Sequence, residues 1–102
     1  MGTSTIVVAE VVSPGTVRAH DGKTYVLRGI PDVEEDFVRF ADARALVERA
    51  LLGKELHFEE ETANELPDLP GLNIEAFNVE GVPITPGLAA KVAGVLANRP
   101  LR

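Results

Sequence analysis

Arg28 is followed within eight residues by four acids, Asp32, Glu34, Glu35 and Asp36. A guanidinium can oppose a phosphate and a carboxylate can hold a cation or accept a proton, so this cluster is a candidate for chemistry. A plainer reading stands beside it. Acids just ahead of a helix favour the positive end of its dipole, and an arginine on a strand surface often makes no more than an exposed ion pair. Two residue types that commonly do chemistry are scarce or missing. The chain has no cysteine, which removes thiolate nucleophiles, disulfides and thiolate zinc sites. Its histidines are His20 and His57, neither placed with another ligand at helical metal-binding spacing, so no metal site is expected.

A second charged region has a different character. From Glu55 to Glu80 run eight acids, Glu55, Glu59, Glu60, Glu61, Glu65, Asp68, Glu75 and Glu80, with no lysine or arginine among them, and the whole chain has a formal net charge of −6. Nucleic-acid binding draws much of its affinity from cations set against phosphates, so this stretch should repel a polyanion. One tyrosine and no tryptophan also leave little for bases to stack on. Nucleic acid is therefore disfavoured as a partner. Glu59, Glu61, Glu65 and Asp68 are the candidate binding residues, with a protein of basic surface as the expected partner. The plainer reading is a solvated acidic face.

The elements that must position these groups follow from spacing. A chain of 102 residues is expected to form one domain, residues 1–102, around one core. Its composition, 45% hydrophobic and 25% charged, is that of a globular protein, and no window resembles a signal peptide or a membrane span. A cytoplasmic protein with no membrane partner is expected, and its oligomeric state is left open. "TIVVAEVV", Thr5 to Val12, is a β-branched strand closed by Ser13-Pro14-Gly15. "TVRAH" and "TYVLRGI" flank Asp21-Gly22-Lys23, which predicts an antiparallel hairpin.

Phe37, Phe40, Ala41, Leu46, Val47, Ala50 and Leu51 recur at helical intervals, predicting a helix over Asp36 to Leu52 with both phenylalanines buried and Gly53 as its left-handed cap. "KELHFEE" alternates, with Leu56 and Phe58 inward and His57 outward, exposed and inert. Thr62 to Asn73 reads as a loop, "IEAFNV" as a fifth strand, and Glu80-Gly81 as a turn. Thr85 as N-cap and Pro86 begin a last helix with the stripe Leu88, Val92, Val95 and Leu96, ending near Asn98 and Pro100. The order β-β-β-α-β-β-α, mainly β with two helices (α+β), matches a five-stranded OB-fold barrel.

In that order the chain resembles the staphylococcal nuclease-like (thermonuclease) family over nearly its whole length. The family opens with Val-Asp-Gly-Asp-Thr, continues through Arg-Leu-x-Gly-Ile-Asp-x-Pro-Glu, and has a helix ending in Gly-Lys. Here these features stand as "VSPGT", "VLRGIPDVE" and "ALLGKELHFE". The family's Tyr-Gly-Arg, Asp-Gly turn and closing Leu-Val-x-x-Gly-Leu-Ala helix are matched in outline by "PGLNIEAFNVEGVPITPGLAAKVAGV". Carried over residue by residue, the resemblance puts Gly15 and Pro31 where the family holds calcium with acids. It puts Val26 and Leu72 where the family has arginines, and Glu34 where it has its base. With one residue inserted after Ile30, Asp32 takes the metal-binding place and Glu35 that of the base, while Arg28 shares a strand face with Val26.

Phosphodiester cleavage needs positive charge on the transition state, and losing even one such donor typically slows it by about 10²–10³. The resemblance thus implies a nuclease-like domain without nuclease chemistry or cofactor, acting as a binding module for a protein. Two alternatives accompany it: a divergent calcium-dependent nuclease using Arg28, Asp32, Glu34 and Glu35, and an OB domain that binds single-stranded nucleic acid.

Overall fold

The computed structural model describes residues 2–68 and 71–97. It is mainly β with two helices, in the order β1 (Thr3–Ser13), β2 (Thr16–Ala19), β3 (Thr24–Leu27), α1 (Phe40–Leu51), β4 (Glu55–Glu59), β5 (Asn64–Glu65), β6 (Leu72–Ile74) and α2 (Thr85–Ala97). A 3-10 turn, Glu60–Thr62, joins β4 to β5. The strands form one six-stranded mixed sheet in the order β4-β1-β2-β3-β6-β5. It curls like part of a barrel but stays open, which corrects the expected five-stranded barrel: there are six strands, and three rather than two of them lie between the helices.

β1 makes that curl possible because it serves two partners. Thr3 to Val7 pair antiparallel with β4, and Val8 to Ser13 pair antiparallel with β2 across two irregularities of register. Such irregularities bend a strand and increase its twist. The β2–β3 hairpin is as read from Asp21-Gly22-Lys23: Gly22 has φ 85°, and the Asp21 carboxylate accepts the Lys23 amide at 2.8 Å. β6 then lies parallel to β3, with Tyr25 opposite Leu72 and Leu27 opposite Ile74. This fit is close. A Cβ at Gly71 would lie 2.3 Å from the Thr24 carbonyl oxygen, so only glycine lets β6 reach its place.

Inward residues of the sheet, including Val8, Val11, Val17, Leu27, Leu56 and Ile74, pack with Ala43, Val47 and Leu51 of α1 and with Leu88 and Val92 of α2. The α2 stripe is where the sequence put it, with Val95 and Leu96 partly buried. Its end near Asn98 and Pro100 lies outside the described residues. Thr85 stands at the first position of α2, but its hydroxyl donates to the Arg28 carbonyl at 3.2 Å, tying the helix start to the end of β3.

Several expectations need correction. α1 begins at Phe40, not Asp36, because residues 31–39 run through turns in which the Phe37 amide donates to Glu34 and the Phe40 amide to Phe37. Phe37 is 42% exposed and Val38 84% exposed, so neither enters the core. The face of α1 that packs carries Ala43, while Ala41 and Ala50 face outward. Gly53, at φ 78°, does terminate the helix. The segment read as a loop from Thr62 to Asn73 holds β5 and the start of β6, and Leu69 and Pro70 within it lie outside the described residues.

The fifth strand expected at Ile74 to Val79 stops at Ile74. Phe77 instead makes isolated antiparallel bridges to His57 and Pro83, bringing the chain beyond β6 to the free side of β4. The Glu80-Gly81 turn is present, with Gly81 at φ 83° and the Asn78 side-chain oxygen accepting the amides of Glu80 and Val82.

Candidate functional site

The turn from β1 to β2 and the segment after β3 meet at Asp32. Its Oδ1 accepts the Gly15 amide at 3.1 Å and its own neighbour's amide, Val33, at 3.0 Å; its Oδ2 accepts the hydroxyls of Ser13 at 3.1 Å and Thr16 at 3.2 Å. Two donors on each oxygen fill the roughly four acceptor positions of a carboxylate. Asp32 therefore pins residues 13–16 to the chain leaving the hairpin. The reading of Asp32, Glu34, Glu35 and Asp36 as acids on a helix dipole is corrected with it, because the acid in the first turn of α1 is Asp42.

Gly15 is as tightly placed as its partner. A Cβ there would lie 3.1 Å from the Asp32 Cβ and 3.2 Å from the Ile30 carbonyl oxygen, so an acid at 15 would push into Asp32. This donor set does not fit calcium: the one carboxylate in position is saturated and the place for a second is filled. Glu34 and Glu35 are exposed at the turn that follows. Among the described residues no three acids or histidines converge on a point that could hold a metal ion.

Arg28 is also committed: it makes the exposed ion pair expected of it, with Glu75, but has further contacts beside it. Its Nη2 donates to the Thr62 carbonyl at 2.7 Å and the Asn64 side-chain oxygen at 3.2 Å, and its Nη1 lies 3.9 Å from Glu75. Asn64 in turn accepts from the buried Asn73 at 3.4 Å. Arg28 thus ties β3 to the β4–β5 connection and to the edge strand.

The acidic face is arranged differently. Glu59 ends β4, Glu61 sits in the 3-10 turn, Glu65 lies in β5 and Asp68 follows it, all exposed. Beside them lies a groove of about 730 Å³ lined by residues of the β2–β3 hairpin, the end of β4 and the β5–β6 edge, with Ser4 of β1. Tyr25, Phe58 and Leu72 line it together with Lys23, Glu60 and Glu65. Tyr25 and Phe58 pack at 5.8 Å with their rings tilted by 52°. Burial, with a hydrogen bond to Asp21 and its negative charge, pushes the Tyr25 phenol up to about 12. The Ser4 hydroxyl donates to Glu60, orienting its carboxylate without neutralising it. Among the described residues neither Glu60 nor Glu65 has a cation within 4.0 Å.

The sequence singled out Glu65 as an acid of the exposed face but not the groove it lines, because that lining comes from four separated segments. In the sequence Lys23 stands out only as a turn residue. The alternation that turned Phe58 inward was the available signal. His57 is likewise not exposed and inert. Its ring stacks on Phe77 at 6.1 Å, its Nδ1 lies 3.3 Å from the Thr5 hydroxyl, and its buried Nε2 has no hydrogen-bond partner among the described residues, with Glu55 at 3.6 Å. No helix among the described residues is long and apolar enough to cross a membrane. Comparison with known proteins finds no matching family model, no matching curated protein and no matching solved structure.

Proposed function

We propose that this chain is a non-catalytic binding module, a barrel-like domain of OB and staphylococcal nuclease-like type that recognises a protein with a basic surface. The observation that carries the reading is the saturation of Asp32. A carboxylate whose two oxygens already accept from Ser13, Gly15, Thr16 and Val33 has no position left for a metal, and cleaving a phosphodiester needs charge that this region does not present. Arg28, which an enzyme would set against phosphate, is held by Thr62 and Asn64. Meanwhile Glu59, Glu61, Glu65 and Asp68 face solvent, where they speed encounter with a cationic partner and select against a polyanion. The antiparallel β1–β2–β3 meander, with β4 on β1 and β6 parallel to β3, supports the OB reading.

The test has two arms. Labelled DNA and RNA are incubated with the protein at low salt, with calcium and then with chelator; neither cleavage nor retardation is expected. A fluorescent oligo-arginine peptide is titrated in parallel, and its binding should weaken as salt is raised, as screening of exposed charges requires. Calcium-dependent cleavage lost on Asp32→Asn or Glu35→Gln substitution would reverse the reading in favour of a divergent nuclease.

A further inference from the structure

We infer that the groove lined by the β2–β3 hairpin, the end of β4 and the β5–β6 edge is the anchor point for one arginine or lysine side chain of that basic protein partner, an inference that rests on the binding-module reading above. The groove combines two features that a long cationic side chain needs together. Apolar surface is supplied by Leu72, Tyr25, Phe58 and the exposed Leu66. The same lining carries the Glu60 and Glu65 carboxylates. Arginine and lysine have the complementary form, an aliphatic stem that lies along apolar surface and a charged head that reaches out to an acid.

The acids are prepared for such a head. Glu60 is oriented by the Ser4 hydroxyl, a neutral donor that leaves its charge intact. Its own amide is tied to the Gly2 carbonyl at 2.9 Å, so the backbone beneath the carboxylate is fixed as well. Glu65 is held in the edge strand by its pairing with Leu72. A ligand cation meets a Glu60 carboxylate already held by Ser4 and a Glu65 whose backbone is fixed, which reduces the ordering cost that usually makes surface ion pairs weak. Among the described residues Lys23 is the cation of the lining. It balances one of the two acids and leaves the groove net negative, which suits a single positive side chain and disfavours a phosphate.

The experiment measures binding of a fluorescein-labelled Gly-Gly-Arg-Gly-Gly peptide by anisotropy at low salt, with the norleucine and glutamate versions as controls. The arginine peptide alone should bind. Glu60→Gln with Glu65→Gln should weaken it by about tenfold, the combined effect of two partly exposed ion pairs, while Asp42→Asn, on α1 and outside both the groove and the acidic stretch, should change it by less than about twofold. Lys23→Gln should tighten binding by about twofold to threefold, a gain that misfolding cannot produce. Equal binding of the norleucine peptide, or indifference to both the acid pair and Lys23, overturns the inference. If in addition the longer oligo-arginine peptide still binds in a salt-dependent way, the acidic-face reading stands and only the groove assignment is lost. If neither peptide binds, both are lost.

Discussion

Asp32 and Glu65 are acids at surface positions of the same small domain, yet they have opposite surroundings. Around Asp32 four donors converge from the β1–β2 turn and from Val33, and the carboxylate works as a staple within the chain. Around Glu65, and around Glu60 apart from its Ser4 contact, the carboxylates line a groove with no cation bound to them among the described residues. A charge whose hydrogen-bonding positions are filled from within stabilises a conformation. A charge fixed in place but left unneutralised is available to something outside. By that criterion Asp32 is structural, and the acidic stretch is the region proposed above to meet a ligand.

Stability measurements can break this comparison, and the largest effect should come at the glycine that lets the groove form. Gly71→Ala places a methyl group against the Thr24 carbonyl and should force β6 away from β3, costing about 3 kcal/mol in urea unfolding. Next is Asp32→Ala, which strands the donors of residues 13–16 and should cost about 2 kcal/mol by the same method. If Asp32 were a ligand waiting for a metal, its removal would instead leave stability unchanged or raised.

A pH titration sharpens the view of the groove lining. Tyr25 is the only tyrosine, so phenolate absorbance reports on it alone. Its folded pKa, raised to about 12 by burial and then by Asp21, lies above the ordinary value of 10.0. The neutral phenol is therefore favoured by folding: the stability it contributes is fully present below pH 10.0 and is lost as pH rises toward about 12. The absorbance midpoint should fall on unfolding in urea, and Asp21→Asn should lower it in the folded protein. The smallest effect is expected for Glu60→Gln and Glu65→Gln, each within about 0.5 kcal/mol of the parent stability, because neither acid has a cationic partner to lose.

What could be read from the sequence was local. The Asp21-Gly22 hairpin, the Leu56 and Phe58 alternation, the Gly53 cap and the Leu88 to Leu96 stripe each depend on residues a few positions apart, and each is present. Phe37 and Phe40 fit the helical period equally well, but the turns after Pro31 left Phe37 outside the helix and exposed. β6 was missed as a strand starting at Leu72 because what makes it one is parallel pairing with β3, more than forty residues earlier, admitted by Gly71. The role of Asp32 depends on Gly15 and Thr16, and the groove on Tyr25, Phe58 and Glu65 meeting in space. Periodicity carries no information about such meetings.

The most direct test follows backbone amide resonances while the oligo-arginine peptide is added to the isotope-labelled protein. The account predicts shifts at Lys23, Thr24, Glu60, Glu65, Leu66 and Leu72, with Ser13, Gly15, Thr16 and Val33 unmoved. Shifts centred on Gly15 and Val33, with the groove silent, would contradict it and return the function to the nuclease-like turn.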